Sequence, residues 1–188
     1  IPLCLVGSEM CIRDRLIYFI LFIFCSAHSP WSSYLNYRAK HLLIMSVKTD
    51  APTYPFSELL IKYINKELPE AQSKPARAKD FERVQSLFST NQMPLVLLSK
   101  QNAKDLINGE GEFKEFGSTD ANVLYGFGDL ILLIQPSLPN RHAWLLLNAL
   151  KKSKSVFKDG ISPDKLADIG EAHPGAIMAL NGEEMPDS

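Results

Sequence analysis

The chain has 188 residues, of which 46% are hydrophobic and 22% are charged, and its formal net charge is −1 at pH 7. This length predicts about one domain, with a core large enough to fold without disulfides or structural metals. The balance of charge, which becomes mildly acidic from Met45 onward, argues against general nucleic-acid binding, which usually leaves a basic footprint.

The first residues differ from the rest in origin. Residues 6–14, VGSEMCIRD, resemble the translation of a transposase adapter used to build sequencing libraries. The resemblance implies that residues 1–15 are an artefact of sequencing. The apolar run 16–25 imitates a secretory signal only because Arg13 and Arg15 precede it. It is also shorter than the roughly 20 residues that span a bilayer, so no transmembrane helix is predicted there.

We expect residues 16–44 to be translated upstream sequence without structure, and Met45 to be the start of the natural protein. Residues 18–44 are rich in aromatic side chains and contain no Asp or Glu, whereas charged and apolar residues mix at helical spacing from Val47 onward. The alternative is an exported protein whose signal peptide, residues 16–27, is interrupted by the adapter.

The cysteines limit the chemistry of the remaining chain. All three, Cys4, Cys11 and Cys25, precede Met45, so the 144 residues that follow position 44 contain none. A disulfide framework, a cysteine zinc site and a cysteine nucleophile are excluded there, which favours a cytoplasmic protein. Starting at Met45 also removes four of the 20 basic residues and two of the 21 acidic ones, which gives a net charge of −3.

Two amphipathic helices are predicted first, after a disordered start over residues 45–54. A helix begins near Pro55 and must stop at Pro69, with apolar residues at i, i+3, i+4, i+7 and i+8. A second apolar stripe follows over residues 81–88. The stretch 69–75 between them has the composition of a linker.

Strands and helices alternate after Met93. Four-residue or longer apolar runs predict strands that are buried on both faces, and glycine or proline marks where each element ends. Ser99 is the expected N-cap of a helix that Gly109 stops. The remaining predictions are strands at 95–98, 112–116, 122–125 and 129–135, a helix after Pro139 that carries Trp144, and a helix starting at Ser162 and Pro163.

This order, ααβαβββαα, predicts an α/β fold, with α+β as the alternative. We expect one domain over residues 55–181, a mixed sheet of three or four strands covered by helices, and a disordered tail over 182–188. The two fully apolar strands, 95–98 and 130–134, should be adjacent at the centre of the sheet.

Two glycine-rich stretches have the composition of candidate phosphate-binding loops. Residues 125–129, YGFGD, run from strand to strand, and residues 109–112, GEGE, carry two glutamates that would repel phosphate. A phosphate loop needs backbone N–H groups that converge at a helix N-terminus. We therefore predict hairpin turns at both places and no bound cofactor.

Only two histidines, His142 and His173, follow Met45. His142 is the weak catalytic candidate, with Ser137 as nucleophile and Asp129 (or Asp120) as the third group. The favoured alternative is a surface or capping histidine. His173 precedes Pro174 and is predicted to lie at one end of a helix, and no helical spacing of histidines and carboxylates indicates a metal site.

Charge is unevenly distributed along the second half. Six acids lie between Asp105 and Asp129 against one lysine, whereas residues 141–158 hold five bases and no acid. Such polarity can orient a protein partner or face phosphate. Helix-dipole compensation is the alternative. The predicted basic patch consists of Arg141, Lys151, Lys152, Lys154 and Lys158.

Residues 130–138, LILLIQPSL, followed by Arg141 and Trp144 on a helix, resemble the final strand and helix of the psi accessory subunit of bacterial DNA polymerase III. That family has a small α/β fold and acts by binding proteins. The resemblance covers only this short segment and transfers no site residue.

The sequence therefore predicts a small cytoplasmic binding or accessory protein that acts through a protein partner, without catalysis, cofactor or membrane insertion, and of open oligomeric state. One alternative is a nucleic-acid-processing accessory subunit that uses the basic helix end 141–158. Another is an enzyme with His142 as its acid or base.

Overall fold

A computed structural model describes Tyr37 and residues 40–187, apart from the side chain of Lys154. Residues 40–187 belong to one compact unit, which starts at Lys40. The adapter-like residues 1–15 and the apolar run 16–25 lie outside the described residues, so what the sequence predicts for them stays a prediction.

Strands and helices alternate along most of this unit. The strands of the described part are β1 Leu43–Val47, β2 Lys74–Ala78, β3 Leu95–Ser99, β4 Asn122–Phe127, β5 Leu130–Ile134 and β6 Gly160–Ile161. Its α-helices are α1 Thr53–Glu67, α2 Phe81–Ser89, α3 Lys100–Asn108, α4 Asn140–Lys152 and α5 Pro174–Asn181. Single 3₁₀ turns occur at Pro69–Ala71, Gly111–Phe113, Ser153–Ser155 and Pro163–Lys165.

The six strands form one mixed sheet in the order β2-β1-β3-β5-β4-β6. β1 is parallel to both β2 and β3, whereas β5 runs antiparallel to β3 and β4. β3 and β5 pair from Leu95 with Ile134 to Ser99 with Leu130. The predicted central pair of apolar strands is confirmed, and the α/β class is confirmed with it.

Both faces of the sheet are covered because alternate strand residues point to opposite sides. Val96 and Leu98 of β3 belong to a core cluster that includes residues of α2 and α3. Leu95 and Leu97 belong to a second cluster, to which α1, α4 and α5 contribute. Helices therefore lie on both faces, which explains why β3 and β5 contain apolar runs without alternation.

The first strand corrects two predictions. β1 is fully buried and starts at Leu43, before Met45, and Ile44 pairs with residues of both β2 and β3. The prediction that residues 16–44 lack structure is wrong for Leu43 and Ile44, and the predicted disorder over residues 45–54 is wrong as well. A short apolar run beside an unusual leader carried no signal that it pairs with strands far along the chain.

The predicted linker 69–75 is also wrong. A 3₁₀ turn, Pro69–Ala71, leads into β2, and the Asn65 side chain bonds both backbone groups of Ser73. β2 is an edge strand with mostly exposed residues, KPARA. An edge strand needs no apolar alternation and tolerates proline, which also discourages pairing with another chain.

Two further elements differ from prediction. The strand expected at 112–116 is instead the end of the 3₁₀ turn Gly111–Phe113 followed by irregular backbone. Gly109 is the C-cap of α3, and residues 109–112 form no hairpin. The helix expected from Ser162 is only the turn Pro163–Lys165, and β6 and α5 complete the unit. The sheet therefore has six strands where three or four were predicted. No helix among the described residues is long and apolar enough to cross a membrane.

Candidate functional site

The carboxyl ends of four strands meet at one edge of the sheet, because β1, β2, β3 and β4 share a direction. We call this edge, with the residues that follow those strands, the carboxyl edge. Helices α1, α2 and α3 begin there, within a few residues of the strands that precede them. Phosphate-like and carboxylate ligands of α/β proteins commonly bind where such helices begin.

Asp50 connects two strands at this edge. Its side chain is 7% exposed, and Oδ2 accepts a hydrogen bond from the Ser99 N–H at 2.8 Å. The buried Thr53 holds the same loop, since its hydroxyl donates to the Asp50 carbonyl at 2.6 Å. The end of β3 is tied to the β4–β5 turn, because the Lys100 N–H donates to the Asp129 carbonyl at 2.7 Å. These bonds hold the ends of β1 and β3 and the β4–β5 turn together.

A crevice is expected between the ends of β1 and β3. The two strands are neighbours, yet α1 leaves β1 toward one face of the sheet and α3 leaves β3 toward the other. Neighbouring strands whose connections go to opposite faces form a topological switch point. In open α/β sheets, ligands bind in the crevice outside the carboxyl ends of such strands.

The first turns of α1 and α3 differ in their free donors. In α1 the Thr53 N–H bonds the Asp50 carbonyl, and Pro55 has no N–H. In α3 the N–H groups of Gln101 and Asn102 have no intrahelical partner, as at any helix start, and the Ser99 side chain does not cap them. The predicted N-cap position of Ser99 is confirmed, but its hydroxyl makes no capping hydrogen bond.

The charges at this edge are mixed. Lys100 Nζ lies 3.1 Å from Asp168 Oδ2, and hydrogen bonding to Lys100 lowers the pKa of the Asp168 carboxyl. Lys48 and Lys79 follow β1 and β2 directly and are exposed. Because both sides of the Lys100 ion pair are exposed, the pair adds little to stability.

The three weak catalytic candidates are not brought together. Asp129 and Ser137 lie beyond opposite ends of the five-residue strand β5, which at about 3.4 Å per residue separates them by roughly 17 Å. Ser137 Oγ contacts Asn91 Oδ1 and Gln135 Oε1, and not His142. His142 is exposed in the first turn of α4, which agrees with the surface alternative. Asp129 sits instead in the tight β4–β5 turn beside Gly128, whose φ of 60° is left-handed; the hairpin predicted there is confirmed.

His173 has a structural position. It is 1% exposed and is the N-cap of α5, as its prediction at a helix end requires. The Gly175 N–H donates to Nδ1, so the neutral ring carries its proton on Nε2, which donates to the Leu138 carbonyl at 3.1 Å. Burial lowers the pKa of His173, against the opposing effect of backbone carbonyls at Leu138 and Pro136. This histidine joins the β5–α4 loop to α5.

The predicted basic patch is dispersed. Arg141 lies in the first turn of α4 and Lys151 in the last, about 15 Å apart at 1.5 Å per residue. Lys151 Nζ donates to the Ala179 carbonyl, and Lys152 Nζ lies 3.9 Å from Glu67 Oε2. Lys158 is exposed; Lys154 falls in the 3₁₀ turn, and its side chain is outside the description. Two of the five bases therefore have intramolecular partners.

A cavity of about 470 Å³ lies on the α3 side of the sheet, near the start of β4. Its polar lining includes Asp120, Glu171 and Asn108, and no basic residue. No three His, Cys, Asp or Glu side chains are grouped so as to hold a metal ion anywhere in the described part of the chain. The cavity lies beside the last residues of α3, at the negative end of its dipole, whereas the carboxyl edge offers the first turn of α3, so we take the carboxyl edge as the candidate site.

No protein-family model matches this chain, and no curated protein matches it significantly. Sequence reasoning missed Asp50, because that residue fell in a segment predicted to be disordered. An acidic residue soon after a buried strand would have been the signal, had β1 been recognised.

Proposed function

We propose that this domain binds a small polar ligand at its carboxyl edge and performs no catalysis there. The topological switch between β1 and β3 carries the proposal. The two strands are adjacent and parallel, and their helices diverge to opposite faces. Such a switch point is the place where α/β sheets commonly bind their ligands.

The groups around the crevice favour a ligand with oxygen acceptors. Gln101 and Asn102 offer backbone N–H groups without intrahelical partners, and the Ser99 hydroxyl makes no capping bond. The positive end of the α3 dipole favours an anionic oxygen at the same place. We therefore propose a carboxylate or phosphate-like group, or a cluster of hydroxyls, as the part of the ligand that α3 recognises.

Asp50 has a positioning role in this proposal. Its carboxylate is engaged by the Ser99 N–H, so it holds the two strand ends at a fixed separation. A crevice that is fixed before binding loses less conformational entropy when the ligand arrives.

The test is a thermal-denaturation screen of the full chain against small carboxylates, phosphates and sugars, followed by calorimetry. Asn102→Pro removes one backbone N–H donor from the first turn of α3. Proline is compatible with this third helical position, because Pro55 occupies the same position in α1. Arg141→Pro makes a comparable change in the first turn of α4, away from the carboxyl edge. We expect Asn102→Pro to weaken binding about tenfold and Arg141→Pro to leave it unchanged. Equal affinities in both variants contradict the proposal.

Action through a protein partner, as the sequence predicts, remains a proposal beside the ligand site. The full chain used as bait in native lysate at moderate salt should retain a stoichiometric partner. The nucleic-acid alternative is weakened by the partners of Lys151 and Lys152. It predicts binding that falls steeply with salt, and salt-independent binding would exclude it.

A further inference from the structure

Four aromatic rings cluster where α1 meets the end of β4. The ring of Phe157 lies 5.2 Å from that of Phe56, 5.8 Å from that of Tyr63 and 5.3 Å from that of Phe127, measured between centroids. Phe56 and Phe127 are themselves 5.1 Å apart. We call Phe56, Tyr63 and Phe127 the aromatic socket. Phe157 fills it with tilted and edge-on contacts, the geometries that aromatic pairs prefer.

A buried hydroxyl beside the socket has no partner. Tyr125 is fully buried, and its ring lies 5.1 Å from that of Phe127. Its OH group makes no hydrogen bond among the described residues. The backbone of Gly160 covers this group so closely that a Cβ at residue 160 would lie 2.5 Å from the hydroxyl oxygen. A buried donor without a partner is costly, and such groups call for an explanation.

Phe157 and Gly160 belong to the same short segment, residues 155–161. The segment forms only two residue pairs with β4, Phe127 with Gly160 and Gly126 with Ile161, at the edge of the sheet. One further bond joins it to the turn, from the Gly128 N–H to the Asp159 carbonyl. Val156 is 59% exposed. The Val156 and Phe157 N–H groups donate to the Ser153 carbonyl in the turn just before the segment. A segment with so few bonds to the sheet is among the first to open locally.

We propose that the aromatic socket is a binding site for a small uncharged molecule with one aromatic ring and an adjacent hydrogen-bond acceptor, and that Phe157 occupies it when the ligand is absent. Displacing residues 155–161 uncovers the socket and the Tyr125 hydroxyl together. The proposal is independent of the ligand site at the carboxyl edge.

The chemistry of the site selects this class of ligand. The socket residues offer ring faces and edges, so an aromatic ring replaces the contacts that Phe157 makes. The Phe157 ring has no acceptor for the Tyr125 hydroxyl, whereas a carbonyl on the ligand supplies one. The core cluster around the socket consists of apolar and aromatic residues, which disfavours a charged ligand.

The probe is benzamide, which carries a ring and a carbonyl, and cyclohexanecarboxamide is the control without aromaticity. NMR titrations compare the full chain with Phe157→Ala, which removes the self-occupant. We expect benzamide to bind Phe157→Ala at least about tenfold more tightly than the unmodified chain, because no competing ring must first be displaced. Adding Tyr125→Phe should reduce that affinity about fivefold, through loss of one hydrogen bond.

The same variants can overturn the proposal. A folded Phe157→Ala chain that binds benzamide no better than the unmodified chain excludes the socket as a site. Equal affinity for cyclohexanecarboxamide, or no effect of Tyr125→Phe, excludes the proposed ligand class. If Phe157→Ala does not fold, Phe157→Leu keeps apolar volume without a ring and decides the question by the same comparison. Asn102→Pro must leave benzamide binding unchanged, which separates this site from the carboxyl edge.

Discussion

Ile44→Ala tests whether the residues before Met45 belong to the folded domain. Ile44 is 0% exposed and pairs with Pro75 of β2 and Leu95 of β3, so it lies between two neighbouring strands. Replacing a fully buried isoleucine with alanine costs about 2–5 kcal/mol, and the cost is highest where the surroundings cannot collapse. Paired backbone on both sides of β1 leaves little room for relaxation. The expected loss of about 3–5 kcal/mol is a large share of the roughly 5–15 kcal/mol that stabilises a whole domain.

The assay is urea denaturation of the full chain, followed by far-UV circular dichroism. Leu59→Ala is the matched control: this side chain on α1 is 55% exposed, so its loss should change the unfolding free energy by no more than about 0.5 kcal/mol. A lower midpoint for Ile44→Ala with an unchanged denaturant slope supports the fold. Equal midpoints for Ile44→Ala and the unmodified chain would refute the placement of β1 between β2 and β3.

Three other perturbations follow from single contacts. The unfolding free energy should fall as the pH drops below about 6.5, the ordinary pKa of histidine, because burial lowers the pKa of His173 and the unfolded chain alone takes up that proton. Denaturation midpoints measured between pH 7.5 and 5 check this, and His173→Ala should flatten the slope. Gly160→Ala should cost about 1–3 kcal/mol through its clash with the Tyr125 hydroxyl, and Tyr125→Phe in the same chain should recover part of the loss. Asp50→Ala should cost about 1.5–3 kcal/mol, since the Ser99 N–H loses a charged acceptor.

Each of these predictions can be refuted by a specific result. A pH slope that persists in His173→Ala assigns the effect to other groups, and His142→Ala, exposed on α4, is the control that should change nothing. Strictly additive costs for Gly160→Ala and Tyr125→Phe would show that the two residues do not interact. Wild-type stability in Asp50→Ala would mean that water replaces the carboxylate at no cost.

The central part of the sheet was predictable because strands that are buried on both faces appear in the sequence as continuous apolar runs. β3 and β5 are runs of apolar residues, and the turn between β4 and β5 carries the glycine that its left-handed backbone requires. The helix start at Ser99 and its end at Gly109 also follow local rules, which need no knowledge of distant contacts.

The sequence patterns of β1 and β2 are weaker predictors of strand structure. β2, KPARA, has one buried residue and depends on pairing with β1, which lies 31 positions earlier in register. β1 itself is short, and its assignment requires knowing that β2 and β3 flank it. Strands that depend on pairing with distant parts of the chain cannot be predicted from the pattern of their own residues.

The candidate site depends on topology even more strongly. Asp50 and Ser99 are 49 residues apart and meet only because β1 and β3 are adjacent. The role of His173 at a helix end was predictable from Pro174, whereas its bond to the Leu138 carbonyl, 35 residues away, was not. The sequence indicated where individual helices and strands begin and end. The order of the strands in the sheet determined which side chains contact each other.

An amide-resolved NMR titration of the isotopically labelled full chain tests the proposed ligand site most directly. The titrants are the small carboxylates, phosphates and sugars that raise the thermal midpoint. We predict that the largest shift changes fall on the amides of Ser99, Gln101 and Asn102, which lie at the carboxyl edge. Changes centred on the last turns of α4, or no change with any titrant, would contradict the proposal that this domain binds its ligand between β1 and β3.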